Sequence, residues 1–297
     1  MPFQGIHEVG RGIGDRPVSR RRELETQIHG LNEIREIMNA MKNLALMEVH
    51  RLTRFLDTQR RVVAAIEAAA ADFLLFHPEL VAGEAECRNV HLLLGSERGF
   101  CGDFNESLIR ILDEDVAAAG KATWVVIGGK LGAKLNGDAR VAAFLEGPSV
   151  VDEVDSVLMN LMETVTHVSG PSTAGSPLRL TVFHHDAAGE GVKVSDLHPF
   201  QKPDPKRVRL AYAPLLYLQP DVFLAGLAEH YLFAALHELL YSSLMAENQR
   251  RMQHMDAAVR RLEQTSGELW QTRNVLRQEE ITEEIEVIML SVRALGY

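Results

Sequence analysis

The chain has 297 residues, a formal net charge of −10 and 46% hydrophobic residues. This length and apolar content suffice for a buried core in one large domain or two small ones. The negative charge argues against nucleic acid as a general partner, because its phosphates would be repelled. The two cysteines, Cys87 and Cys101, provide no disulfide framework and favour a reducing compartment.

The sequence shows no membrane anchor. Residues 1–15 lack the continuous apolar run of a secretory signal, and no stretch of 18 apolar residues occurs anywhere. We therefore expect no direct membrane insertion, so that any membrane association goes through a partner. Residues 1–18 are rich in glycine and proline and are predicted to form a flexible extension.

A long helix is predicted in the next segment, 19–80. Ser19 is its predicted N-cap, and the helix is expected to end near Phe76, just before a His-Pro pair. Apolar residues recur every seven positions, interrupted by Arg35 and Lys42, which is typical of a coiled-coil seam. The seam residues are Leu24, Ile28, Leu31, Met38, Ala45, Val49, Leu52, Leu56 and Val63.

The middle of the chain, 84–210, alternates between short apolar runs and amphipathic segments. Strands are predicted at 90–94, 123–127, 140–144 and 178–184. Helices are predicted at 104–119, around Leu131 and at 151–168. This alternation predicts a doubly wound, Rossmann-like α/β domain. Residues 198–220 carry several prolines and are interpreted as an irregular connection.

The last segment, 211–297, is predicted to be dominated by one helix over 221–295, about 110 Å long at 1.5 Å per residue. A polar cluster at 277–280 shifts the register of its seven-residue repeat, which suggests that the helix packs on a different partner after this point. The two parts of its seam are Met255, Leu262, Leu269 and Leu276, and then Ile281, Ile288 and Leu295.

Matching seams at both ends of the chain predict the overall architecture. The expected fold is α/β, with a long antiparallel coiled coil of the N- and C-terminal helices and the Rossmann-like domain inserted between them. Leu24 and Ile28 are expected to lie near residues 262–276 of the last helix.

The sequence does not point to a nucleotide or another cofactor. No Gly-x-x-x-x-Gly-Lys-[Ser/Thr] loop is present, and the Gly-Gly-Lys at 128–130 lacks its spacing and its hydroxyl. No metal site is predicted either, because His184, His185 and His198 have no cysteine or second carboxylate at ligand spacing. Cys101 could be a nucleophile, but a small buried residue in a tight turn is the preferred interpretation.

Two motifs resemble a known family. Residues 96–105 read Ser-Glu-Arg-Gly-Phe-Cys-Gly-Asp-Phe-Asn. This is similar to the Ser-Asp-Arg-Gly-Leu-Cys-Gly-Gly-Phe-Asn turn of the gamma subunit of rotary, F-type ATP synthases. The pattern Asn-x-x-Arg-Gln-x-x-Ile-Thr-x-Glu-Ile at 274–285 resembles the C-terminal signature of the same family, and 243–255 and 37–42 match in part.

The resemblance implies a non-catalytic rotor of the central stalk, which couples transmembrane ion flow to ATP synthesis or hydrolysis. Implied partners are the alpha and beta subunits of the catalytic ring, the epsilon subunit and the membrane c-ring. The implied location is peripheral, at the cytoplasmic face of the inner membrane of a bacterium. Implied rotor–stator contacts are Asn274, Arg277, Gln278, Thr282 and Glu284. The motif turn carries Arg98, Gly99, Cys101, Gly102 and Asn105.

Several positions depart from the family pattern. The departures are Glu36, Met38, Arg273, Val287, Ser291 and Val292. They indicate a divergent branch, such as an alternative or sodium-type ATPase, and leave the coupling ion open. Two further hypotheses compete with the rotor: a coiled-coil adaptor or scaffold, and an enzyme that uses Cys101. The adaptor would lack a three-fold nucleotide-binding ring as partner, and the enzyme would be inactivated by Cys101→Ala.

Overall fold

The computed structural model describes residues 17–80, 88–119, 122–169, 178–188, 191–197, 212 and 215–294. Cys87, His198, Leu295 and most of the predicted extension and irregular connection lie outside these residues. The helices are α1 (Pro17–Leu74), α2 (Phe104–Ala119), α3 (Gly129–Lys134), α4 (Val154–Ser169) and α5 (Pro220–Ala294). The strands are β1 (Arg88–Leu94), β2 (Thr123–Ile127), β3 (Val141–Leu145), β4 (Leu178–His185) and β5 (Val192–Leu197).

The chain divides into two compact units. One combines Met1–Met41 with Met255–Tyr297, and the other is Lys42–His254. Each contains part of α1 and part of α5.

The larger unit is built on a five-stranded sheet with the order β3-β2-β1-β4-β5. The first four strands are parallel, and β5 pairs antiparallel with β4. The centres of β1 and β2 are buried on both faces, as expected for parallel strands covered by helices on each side. The order confirms a doubly wound sheet whose switch point lies between β1 and β4. The edge strand β5 was not predicted.

Two apolar layers cover the sheet. On one face, α4 and parts of α1 and α5 pack with Leu92, Leu94, Val125 and Ile127. On the other face, α2 and α3 pack with the remaining inward side chains of the central strands, which include Trp124 and Phe183. The central sheet is therefore sandwiched, and the long helices contribute mainly to the first of these faces, while α5 adds Ala246 to the second.

In this unit α1 and α5 lie antiparallel. The rings of Phe55 and Tyr241 are 5.8 Å apart, and those of Phe73 and Phe223 are 5.0 Å apart, so residue numbers fall along α5 as they rise along α1. The predicted seam faces inward, since Ala45, Leu52, Leu56 and Val63 are all buried.

The smaller unit also pairs the two helices antiparallel over its described residues. Arg21 Nε lies 3.1 Å from Glu280, and Arg273 Nε donates to Glu25 Oε1 at 2.9 Å. The predicted proximity of the Leu24–Ile28 region to residues 262–276 is thus confirmed. Its buried residues among those described are Ile28, Met255, Val259 and Ser266. Every residue of 281–294 is exposed, including several large apolar side chains.

The predicted helix limits needed small corrections. The first helix begins at Pro17, so Ser19 lies inside it and is not the N-cap. Proline suits a first helical position because its fixed φ is preset and its missing N–H has no partner there. The helix ends at Leu74, and the chain reaches Pro78–Leu80 through a turn. The helix predicted at 151–168 begins instead as a short 3₁₀ segment, Val151–Glu153.

Among the described residues, no helix combines the length and the apolar character that crossing a membrane requires.

Candidate functional site

The turn after β1 and the start of α2 together contain all five residues of the predicted motif. Ser96 N donates to Asn105 Oδ1 at 3.0 Å, and Asn105 Nδ2 donates to Ser96 Oγ at 2.8 Å, which closes the turn onto the start of α2. Phe100 and Gly102 have φ of 64° and 63°. A left-handed backbone suits glycine but is unfavourable for phenylalanine, so other contacts must hold the turn in this shape.

Two charged residues of α5 supply those contacts. Glu247 accepts hydrogen bonds from the backbone N–H groups of Glu97 and Arg98, at 3.3 Å each. Arg251 Nε donates to Gly99 O at 3.3 Å, and Arg251 also forms an ion pair with Glu247. These bonds join positions about 150 residues apart in the chain.

Both charged side chains are deeply buried, at 3% exposure for Glu247 and 5% for Arg251. Burial raises the pKa of Glu247, while Arg251 and the backbone N–H groups of the turn oppose that rise. Arg251 makes a further hydrogen bond, from Nη1 to Asn248 Oδ1 at 2.7 Å. The pair is therefore enclosed and compensated on several sides, which is what a buried ion pair requires.

The thiol of Cys101 lies next to both charged side chains of this pair. It donates towards the carbonyl oxygens of Arg98 and Gly99, each 3.4 Å away. Burial, with a contribution from Glu247, raises the pKa of the Cys101 thiol to about 11. A thiol that stays protonated at neutral pH is a poor nucleophile. This geometry supports the prediction of a small buried residue in a tight turn.

A second carboxylate, that of Glu97, ties neighbouring loops together. Glu97 Oε2 accepts from the backbone N–H groups of Gly129 and Gly147, at 2.8 and 2.7 Å. The Gly-Gly-Lys segment that superficially suggested a phosphate loop thus donates to a carboxylate of the protein itself.

The segment around Glu247 and Arg251 resembles the family in part, but the sequence did not predict that it belongs to a site. A carboxylate and an arginine at i, i+4 are common on solvated helix faces. The available signal was their position just after 231–246, a stretch rich in apolar residues.

The predicted rotor–stator residues belong to the smaller unit. All five are exposed, and the hydroxyl of Thr282 donates to the backbone oxygen of Gln278 at 2.9 Å. No side-chain hydrogen bond or ion pair involves Arg277 within the described ranges. The five residues are Asn274, Arg277, Gln278, Thr282 and Glu284.

The histidines at the end of β4 serve packing. His184 Nε2 lies 2.9 Å from Ser195 Oγ, and the ring of His185 stacks on Phe104 at 3.8 Å. His185 Nε2 bonds to the Phe104 carbonyl oxygen at 2.9 Å. The described residues contain no cluster of three or more ligands suited to a metal ion.

These histidines make stability dependent on pH. Burial lowers the pKa of both His184 and His185 below the ordinary 6.5, so the folded state keeps them neutral where the unfolded chain takes up protons. The stability that the two neutral histidines contribute is fully present above pH 6.5. It falls as the pH drops below 6.5, by at most about 1.4 kcal/mol per pH unit for each histidine.

Denaturant titrations between pH 7.5 and 5.5 give the free energy of unfolding as a function of pH. The slope of this free energy against pH should be smaller for His185→Gln than for the parent. Equal slopes in the parent and in the His185→Gln variant would contradict this.

In each unit α1 and α5 pair antiparallel, and in the larger unit a buried ion pair of α5 holds the first turn of the doubly wound domain. A family model described as ATP synthase matches residues 20–295. The chain belongs to this family, as a gamma subunit. It is the rotor of the central stalk and a non-catalytic subunit of a rotary ATPase.

Individual relatives support the assignment to the gamma subunit. The chain is 25% identical to the ATP synthase gamma chain of Fuscovulum blasticum over 286 residues, covering 92% of this chain and 99% of that one. It is 24% identical to the gamma chain of Bifidobacterium longum over 303 residues, covering 92% and 96%. A chain of the mitochondrial ATP synthase of Euglena gracilis has the same fold, with a TM-score of 0.61, 15% identity and coverage of 94% and 95%.

Proposed function

We propose that α1 and α5 form an antiparallel coiled coil that turns inside a ring of alpha and beta subunits. The exposed C-terminal part of α5 exchanges contacts with that ring, and the α/β domain meets the epsilon subunit and the membrane c-ring. The subunit works peripherally, at the cytoplasmic face of a bacterial inner membrane. The proposed division is an extension at 1–18, coiled-coil segments at 19–80 and 211–297, and the α/β domain at 84–210.

The coiled coil is supported by the contacts within each unit. The buried seam positions Leu52, Leu56 and Val63 follow the seven-residue repeat, and the two interhelical ion pairs of the smaller unit have the antiparallel order. Knobs packed into holes at such a repeat give a stiff rod. Stiffness suits a part that must carry torque without unwinding.

Exposure of the end of α5 is the observation that carries the ring contact. Ile281, Ile285, Ile288 and Leu290 are 47–65% exposed, although they lie on one continuous helix. A run of exposed large apolar side chains marks an interaction surface. The polar residues 277–280 stand just before this run, where the helix stops packing on its antiparallel neighbour.

Arg277 and Gln278 are suited to specific but exchangeable contacts at this boundary. Both side chains are exposed. The guanidinium of Arg277 offers five donors in a planar fork, which fits a carboxylate or a backbone carbonyl of another chain. Three equivalent positions around a ring could receive the same donors in turn.

Substitution tests this role in the assembled complex. A charge-assisted hydrogen bond contributes about 1.5–3 kcal/mol. Arg277→Ala should therefore slow ATP hydrolysis and ATP-driven ion pumping by about ten- to a hundredfold while the complex still assembles. Gln278→Ala should act in the same direction more weakly, because its bonds are neutral.

The matched control is Arg261→Ala, since Arg261 is another exposed arginine of α5 without a partner among the described residues. It should hydrolyse and pump like the parent. If the Arg277 and Gln278 variants also behave like the parent in fully assembled complexes, the two residues only solvate the change of register.

A further inference from the structure

Doubly wound domains bind their ligands in the crevice at the carboxyl ends of the parallel strands, where the strand order reverses. In this protein that switch point lies between β1 and β4. The crevice is lined by the turn after β1 and by Asp186 and Ala187, which follow β4.

One face of α5 fills this crevice. Ser243 Oγ donates to the carbonyl oxygen of Leu94, the last residue of β1, at 3.3 Å. The hydroxyl of Ser242 accepts from Ala187 N at 3.1 Å. One and two turns further along α5, Glu247 and Arg251 bind the turn after β1. Four polar side chains of a single helix therefore contact both strand ends that border the switch point.

The position of Glu247 corresponds to that of an anionic ligand. Its carboxylate accepts from two successive backbone N–H groups of the first strand-to-helix turn. Such N–H groups bind phosphate in other doubly wound domains. Here the anion is supplied by the chain, and Arg251 completes the arrangement by binding the Gly99 carbonyl oxygen.

We propose that α5 is the built-in ligand of the α/β domain and that Glu247 and Arg251 are positioning residues that lock α5 in one axial register and rotation on it. This lock is the joint through which torque passes between the domain and α5. The proposal rests on the rotor function, because a joint of this kind matters only in a part that carries load.

The chemistry of the contact favours a lock over simple stabilisation. Apolar contacts are non-directional, so they resist the displacement of a helix only through the shapes of the packed side chains. Hydrogen bonds depend on distance and angle, and they resist such displacement. A buried ion pair is not the most stabilising choice for a core, since well-packed apolar residues often do as well. Its advantage is geometric, because Arg251 bonds Gly99, Asn248 and Glu247 at once.

The test uses the assembled complex carrying Glu247→Gln or Arg251→Lys. Lysine keeps the charge of Arg251 but lacks the planar fork. Asp256 and Arg260 form another i, i+4 carboxylate–arginine ion pair on α5, with the Arg260 side chain 78% exposed, so Asp256→Asn and Arg260→Lys are matched controls. The readouts are ions pumped per ATP hydrolysed and hydrogen exchange at the amides of Glu97 and Arg98.

The expected result is a several-fold loss of ions pumped per ATP in the Glu247 and Arg251 variants, with ATP hydrolysis largely retained. The amides of Glu97 and Arg98 should exchange about tenfold faster, while amides in the centres of β1 and β2 keep their protection. The control variants should change neither quantity. Parent-like pumping per ATP in the Arg251→Lys complex, or faster exchange spread over the whole sheet with unchanged pumping, would overturn the lock.

A charge exchange separates the lock from a pair that acts only within α5. Glu247→Arg combined with Arg251→Glu keeps the ion pair on the helix but removes the acceptor for the two N–H groups of the turn. Pumping should stay low, and full recovery would overturn the proposal. The two proposals can fail separately. If Arg277→Ala pumps like the parent while Arg251→Lys hydrolyses ATP without pumping, only the proposed contact of Arg277 with the ring is refuted, and the lock is supported.

Discussion

Replacing Leu52 with alanine should lower the free energy of unfolding by about 2–5 kcal/mol, as measured by denaturant titration of the isolated chain. Leu52 is 0% exposed and belongs to the apolar layer in which α1 packs with α4, α5 and the sheet. Truncation removes buried methyl groups and leaves a cavity, because three different elements cannot all move in to fill it.

The matched control for this prediction lies two turns earlier on the same helix. Leu44 is 60% exposed, so Leu44→Ala should change stability by no more than about 0.5 kcal/mol. Similar losses at the two positions would mean that the inward face of α1 is not the one described.

Replacing Gly128 with alanine should destabilise the larger unit by about 3–5 kcal/mol. Gly128 has φ of 110°, and a Cβ there would lie 2.6 Å from the carbonyl oxygen of Gly95. The strand ends cannot separate easily to make room, since Gly128 N donates to Leu145 O and Gly95 N donates to Ile127 O, both at 2.9 Å. Strain and contact with backbone therefore act together.

Gly137 isolates the backbone contribution. Its φ is 88°, but nothing lies within 4 Å of the Cβ position, so Gly137→Ala should cost only about 1–2 kcal/mol. The difference between the two variants, read from their unfolding midpoints, measures the steric contact. Equal costs would show that the loop at Gly128 relaxes, contrary to the hydrogen bonds that frame it.

Much of this protein could be predicted from its sequence because the relevant signals are local. The seven-residue repeat located the inward face of α1 at Leu52 and Leu56, since a helix must bury the stripe that its periodicity creates. The runs at β1 and β2 identified buried parallel strands, and the segment at 104–119 matched α2 at both ends. The motif turn could also be recognised from ten consecutive residues.

Tertiary structure decided the features that depend on distant residues. The strand β5 was missed because an edge strand with three apolar residues carries a weak pattern, and pairing with β4 is what orders it. Glu247 and Arg251 have the spacing of an ordinary surface pair, and only the folding of α5 onto the first turn removes them from water. A buried charge is stable only beside its partners, and apart from the ion pair itself these partners lie about 150 residues away in the chain.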